Sequence, residues 1–271
     1  MCKMKVSFSR KGFDSTNGAQ PNAILPDGTL LPFPIPDNTE IDNYSTLSFR
    51  GQSLYQYISE LKPRTRLAPD KDCHLDPDLR AGLKMRPKDW KPAFGQAEQS
   101  LSELRNHHFG VGDLFLFFGW FRQTEEYKGR LRYKPKSPHV QLIYGYMQVG
   151  EVVDKQSSFP EWLKEHPHAA KILNGSEKDC IFLPAAQLSF LPSQPAAAML
   201  HYSDEIVLTG KGMSRSKWAL PPLFKNISIS HIPKQPADGS YFQSCFIGQE
   251  MIWEATDDAI EWLKQICCHI E

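Results

Sequence analysis

The segment Asp113-Leu114-Phe115-Leu116-Phe117-Phe118-Gly119-Trp120-Phe121 carries apolar side chains at almost every position. A strand with one wet face alternates apolar and polar residues, whereas an unbroken apolar run is covered on both sides. This segment is therefore expected to run through the middle of a sheet. Residues 140–147 and 148–153 repeat the pattern more weakly, with Gly145 and Gly150 as bulge or close-approach positions. Short strands are also expected at 180–183, 205–208, 227–232 and 250–253, and at Val6 and Phe8 near the start. Helices flank this β-rich middle. Ser53 caps one whose apolar stripe is Leu54, Tyr57, Ile58 and Leu61. A second covers 96–105. The last follows Thr256, with Asp257 and Asp258 in its first turn and Ala259, Trp262, Leu263, Ile266 and Ile270 on its buried face. The order predicts an α+β fold, with a mixed, partly barrel-like central sheet, in one domain spanning residues 1–271.

Composition excludes several classes. Thirty-one Lys+Arg balance 31 Asp+Glu, so the formal net charge is zero, and coating nucleic acid by bulk charge is not expected. No apolar run reaches the ~18 residues of a membrane-spanning helix. Lys3 and Lys5 are followed by no apolar export segment, so a cytoplasmic location without membrane association is expected. Six cysteines (Cys2, Cys73, Cys180, Cys245, Cys267, Cys268) form no CxxC pair and read as reduced thiols.

Chemistry concentrates in a few places. Ser9-Arg10-Lys11-Gly12-Phe13-Asp14-Ser15 follows a short strand. Arg10 can fork onto a phosphate, Gly12 lets backbone approach a ligand, and Asp14 can orient a sugar hydroxyl or act as a base. A plain strand-end turn uses the same residue types. Residues 18–36 form a long loop with a turn at Asp27-Gly28, and their apolar flanks suggest a packed site wall. Glu250, after Gly248-Gln249 and before an apolar strand, is a candidate buried carboxylate. Trp120 and Trp218 are candidates to stack a base, with Ser214 beside the second, although a tryptophan in an apolar run is usually core. Lys128, Arg130, Arg132, Lys134 and Lys136 alternate with other residues; in a strand this puts five cations on one face, suited to single-stranded nucleic acid or to guarding a sheet edge. No metal site is expected. Cys73-His74-Leu75-Asp76-Pro77-Asp78 lacks a partner cluster at ligand spacing, and Pro167 is expected to point His166 and His168 apart.

The order of several of these motifs resembles the nucleotide modification associated domain family, third type, of bacteria and their phages. The resemblance runs from Lys5 to about Leu263 and is carried by residues 9–15, Pro26-Asp27-Gly28, 73–78, 112–121, His166-Pro167-His168, 214–218 and Gly248-Gln249-Glu250. It implies a role in DNA-base or nucleotide modification, with Arg10, Asp14, Asp27, Asp113, Gln249 and Glu250 as the polar positions carried over. This chain departs from the family pattern at Ile247, where an arginine is usual, and at Glu98, where small residues are favoured.

Two functions follow as expectations. In the first, the protein is a nucleotide- or base-modifying enzyme: Arg10 and Lys11 hold phosphate, Asp14, Asp27 or Glu250 serves as base or orients a ribose, and Phe13, Ser15, Asp113, Gln249 and a tryptophan complete the substrate site. An arginine on an early strand and a glutamate on a late one also resemble ADP-ribosyltransferases. In the second, it is a non-catalytic reader resembling PUA-like barrels such as EVE and ASCH domains, with Trp120 and the basic stripe gripping a flipped base. An interaction subunit whose 18–36 loop grips a partner modification enzyme is a further possibility. Residue types alone name no donor cofactor and do not separate free nucleotide from DNA or RNA.

Overall fold

A computed structural model describes residues 3–38, 41–245 and 250–271. The apolar run becomes the strand Leu114–Tyr127, buried on both faces through its first half. Beside it runs Val140–Val153, antiparallel, with a register shift at Phe117/Phe118. Gly145 and Gly150 are close-approach positions as expected: a Cβ there would meet Leu79 Cδ1 at 2.7 Å and Ala185 Cα at 2.6 Å, respectively. On the other side lies the parallel N-terminal strand Lys5–Arg10, whose far edge pairs antiparallel with Glu250–Glu254. Beyond Val140–Val153 come Asp179–Pro184 and then Phe94–Ala97, both antiparallel to their neighbours. The main path is thus 250–254, 5–10, 114–127, 140–153, 179–184, 94–97. With 19% helix and 35% strand in one domain, the fold is α+β around a large mixed sheet.

The register sorts the side chains into two layers. Val6, Phe8 and Phe118 face outward: Phe8 and Phe118 pack edge-on to Trp218, and Phe8 also meets Trp253 and Trp262 beneath the C-terminal helix. On the opposite face, Ser7 and Ser9 stand beside Phe115 and Phe117, whose rings pack against Phe94 and Phe182. Phe94 belongs to the last strand of the path and Ser7 to one near its beginning, so the sheet curls until its two edges face each other. Backbone pairing does not close it. Side chains bridge the gap: Gln96 Nε2 donates to Glu250 Oε1 from edge strand to edge strand.

Three α-helices fall where periodicity places them. α1 (Leu54–Leu61) is capped by Ser53 and α4 (Asp257–Cys267) by Thr256. α2 (Glu98–Asn106) starts two residues later than expected, because Phe94–Ala97 pairs as a strand before it. A fourth, α3 (Ala169–Leu173), is one short turn. Two expected strands are absent. Residues 204–206 form a 3-10 turn capped by Ser203, and 227–232 follow the sheet without joining it, with Ser230 N and Oγ bonded to the last strand's Ile252. The 18–36 loop is packed: Leu31 and Phe33 are fully buried in a second core with Phe13, Tyr44, Leu54 and Ile58, and Leu30 is fully buried in the main core. Most of its apolar residues are therefore spent inside the molecule, and the half-buried Ile35 lines a cleft. The described cysteines are free thiols, and no helix among the described residues is long and apolar enough to cross a membrane.

Candidate functional site

Glu250 lies at the start of the last strand, opposite Ser9 in register, and is 2% exposed. Alternation along Lys5–Arg10 aims Ser7 and Ser9 at it: Ser7 Oγ donates to Oε2 at 2.6 Å and Ser9 Oγ to Oε1 at 2.8 Å. Gln96 donates from the facing edge, and Lys11 Nζ stands 3.6 Å from Oε1 and over the Phe94 ring. Burial pushes the Glu250 carboxyl above its ordinary value, and Lys11, the two serines and Gln96 offset only part of that. A carboxyl so placed can hold a proton or give one up.

The seam opens into a cleft of about 680 Å³ lined by Arg10, Lys11, Gly12, Asp14, Gln96 and Glu250, among others. This volume falls in the range that small-molecule sites occupy. The 10–14 turn is held rigidly. Gly12 takes φ +78°, and the fully buried Asn22 accepts from Phe13 N (3.2 Å) and Phe33 N (2.8 Å) while donating to Phe13 O (3.2 Å) and Trp120 O (2.9 Å). All four hydrogen-bonding positions of its amide are filled.

A second cluster lines the same cleft. His74 ends the short strand Asp72–His74, Asp76 follows two residues on, and His168 caps α3. Their Nε2, Nε2 and carboxylate atoms all lie within 4.8 Å of one another. His74 Nδ1 meets Asp37 Oδ2 at 2.9 Å, and His168 Nδ1 meets Asp179 Oδ1 at 3.0 Å. Burial alone would raise the Asp76 carboxyl, but the surrounding imidazoles of His166, His168 and His74 outweigh it and hold it well below the usual range. His74 shows the converse, pushed up against its burial by Asp76 and Asp37. The expectation that Pro167 separates the two imidazoles fails: the rings of His166 and His168 lie 5.8 Å apart, both beside Asp76. Gly95 makes room for them, because a Cβ there would stand 2.1 Å from His168 Cδ2 and 2.9 Å from His166 Cε1.

Arg10, Lys11, Gly12, Asp14 and Glu250 are thus brought together, as the sequence suggests. Asp14, however, accepts from Thr16 N (2.7 Å) and Asn17 N (2.6 Å), as a turn carboxylate does. Phe13 is core, and Ser15 is an exposed turn residue that accepts from Arg215 at 3.1 Å. Other candidates are not among the cleft-lining residues. Asp27 fixes its own turn through Thr29 N and pairs with Arg50 at 2.6 Å; although slight burial opposes it, these contacts bring its carboxyl down to about 2. Asp113 accepts from Lys5 N (2.7 Å) and Gly110 N (2.8 Å). Trp218 is fully buried, donates to Gln141 Oε1 at 2.7 Å and cannot stack an incoming base. Trp120 is half-buried beneath the Arg215 guanidinium and donates to His139 Nδ1 at 3.0 Å, and Ser214 is exposed. Gln249 and its neighbours Ile247 and Gly248 lie outside the described residues, as does Cys2.

The basic stripe is not a strand face. Only Arg130–Tyr133 is strand. Lys128 and Gly129, both at positive φ, turn the hairpin, and Lys134 and Lys136 fall in the loop after it. Arg132 pairs with Glu125 at 2.6 Å, and Tyr133 is tied down through its hydroxyl to Pro21 O. Five cations on one face would need nine extended residues, and two turns interrupt them. Residue types alone do not single out Ser7, Asn22 or Gln96, and the spacing of His74, Asp76 and His168 argues against the ligand cluster that the fold assembles from them. Serine at alternate positions of an otherwise apolar strand is the one signal that points to the first group.

No curated protein and no solved structure matches the chain. The sequence profile of the family described as Nucleotide modification associated domain 3 matches residues 5–254, taking in both edge strands and every described residue of the cleft. By that match the chain belongs to the nucleotide modification associated domain 3 family.

Proposed function

We propose that the protein is a nucleotide-modifying enzyme that takes its substrate, free or as an unpaired residue of a nucleic acid, into the cleft at the seam. The observation that carries this reading is the buried Glu250, hydrogen-bonded by Ser7, Ser9 and Gln96 and set 3.6 Å from Lys11, in the wall of a cleft that Arg10 also lines. Arg10 and Lys11 supply positive charge for phosphate. Glu250 supplies a carboxyl with a raised pKa for proton transfer to or from the substrate. The rigid turn clamped by Asn22 keeps the phosphate-binding cations in register with that carboxyl. The family's description, which names nucleotide modification, fits this chemistry.

The reader alternative needs an accessible tryptophan and a cationic strand face, and neither Trp120 nor the 128–136 hairpin lines the cleft. The two readings separate by calorimetric titration of the full chain with nucleoside mono- and triphosphates and a short single-stranded oligonucleotide. Arg10→Ala is expected to weaken nucleotide binding about tenfold or more, as loss of a charge-assisted contact does, while Trp120→Ala leaves it unchanged. The opposite pattern, or no nucleotide binding by the native chain, would overturn the proposal. Mass analysis of the nucleotide after incubation with candidate donors identifies the group transferred, an ADP-ribosyl gain assigning the transferase resembled in the sequence.

A further inference from the structure

We propose that His74, Asp76 and His168 bind one divalent first-row transition-metal ion. His74 and His168 point their Nε2 atoms at each other across 3.2 Å, and Asp76 Oδ2 lies 3.6 Å from the first and 3.5 Å from the second. An ionised Asp37 or Asp179 can only accept hydrogen bonds, so the Nδ1 of each imidazole is the donor, and the tautomer this selects turns an Nε2 lone pair to the centre. Three lone-pair donors at this separation repel unless a cation lies between them. A proton joins only two of the three. A tetrahedral ion with bonds of about 2.0–2.1 Å holds its donors roughly 3.3 Å apart, and the observed separations match that edge.

The surroundings are built to the same end. Imidazole ligands commonly pass their other nitrogen to a carboxylate, which fixes tautomer and orientation, and both rings do so here. Asp179 is fixed in turn by Ser176 Oγ at 2.7 Å. The Asp76 side chain is only 4% exposed, and its Oδ1 accepts Gly95 N at 2.9 Å, leaving Oδ2 for the centre. His166 is buried, accepts His168 N on Nδ1 at 3.3 Å, and turns Nε2 toward Asp76 Oδ1 at 3.6 Å; that nitrogen has no hydrogen-bond partner among the described residues. Two imidazoles and one carboxylate suit zinc or iron(II) better than magnesium or calcium, which prefer all-oxygen shells. Because all three donors line the 680 Å³ cleft, an ion held by them is within reach of whatever enters it.

The assignment does not depend on the nucleotide reading, because the ion is measured directly. Elemental analysis of the full chain, purified without chelator, is expected to find one transition-metal ion per chain. After stripping, titration with cobalt(II) is expected to restore one site, with visible d–d absorption that zinc abolishes. His74→Ala and His168→Ala are expected to lose the ion and the absorption, while Glu250→Gln keeps both. Should either imidazole variant fail to fold, Asp37→Asn alters only a half-exposed outer carboxylate. It is expected to weaken affinity about 10–100-fold with an unchanged circular dichroism spectrum. Failure of the stripped native chain to take up zinc, cobalt(II), iron(II) or manganese(II) stoichiometrically would overturn the proposal. So would native affinity in folded variants of His74 and His168.

Discussion

Glu250 is a buried carboxyl, and the groups that hydrogen-bond to it come from two other strands, Ser7 and Ser9 from one and Gln96 from the second. Its raised pKa makes it a source of pH-dependent stability. Below its ordinary 4.5 the carboxyl is protonated in both folded and unfolded chains, so it contributes no pH dependence. Above that value the unfolded chain ionises first, and folding stability falls until the pH passes the raised native value. Glu250→Gln lacks this loss. The melting temperature of the variant relative to native is therefore expected to climb as pH rises above about 4.5, then level off once the raised native value is passed. Melting curves across that range check it, and a pH-independent gap would mean that Lys11 and the serines keep the carboxylate ionised. Gly95 offers a steric counterpart. The β-carbon of Gly95→Ala collides with both imidazoles, and the expected cost is about 1–3 kcal/mol in urea denaturation.

At the level of elements, what could be read in advance was whatever the chain settles locally. α4 was legible because Thr256 accepts from Ala259 N and an apolar stripe follows at helical spacing. Thr256→Ala is expected to cost about 1 kcal/mol of stability, measured by chemical denaturation. The strand Phe94–Ala97 was not legible. Gln96 and Ala97 suit a helix as well as a strand, and only pairing with Asp179–Pro184, over eighty residues away, settles the choice. The His74/Asp76/His168 cluster stayed hidden for the same reason, since nothing near His74 in sequence foretells that α3 delivers an imidazole to it. The basic stripe misled in the other direction: strict alternation mimicked a strand that positive-φ turns interrupt. Asn22 shows how much one unremarked residue can fix. Asn22→Ala strips partners from buried Phe13 and Phe33 amides and is expected to cost roughly 2–3 kcal/mol in the same assay.

Over the whole molecule, the sheet carries its two edges to one place without joining them by backbone bonds. A closed barrel satisfies its edges and buries its interior, whereas this one leaves a gap lined by ionisable groups. Aromatic patterning announced the sheet's interior plainly. It said nothing about curvature, which arises from bulges and twist acting along the full path. The hairpin cations lie outside the cleft, so replacing Lys128, Arg130 and Arg132 by Ala is expected to leave the salt dependence of oligonucleotide binding unchanged by fluorescence anisotropy. A shallower slope would mark the hairpin as a contact surface.

Gly95 and Gln96 are consecutive in one short edge strand, yet one serves the imidazole cluster and the other the buried glutamate. A peptide unit shared in this way is a mechanical linkage. Any sequence change that slides or tilts that strand misaligns both centres at once. Over evolutionary time they cannot drift separately, and lineages that abandon one are expected to have rebuilt the other.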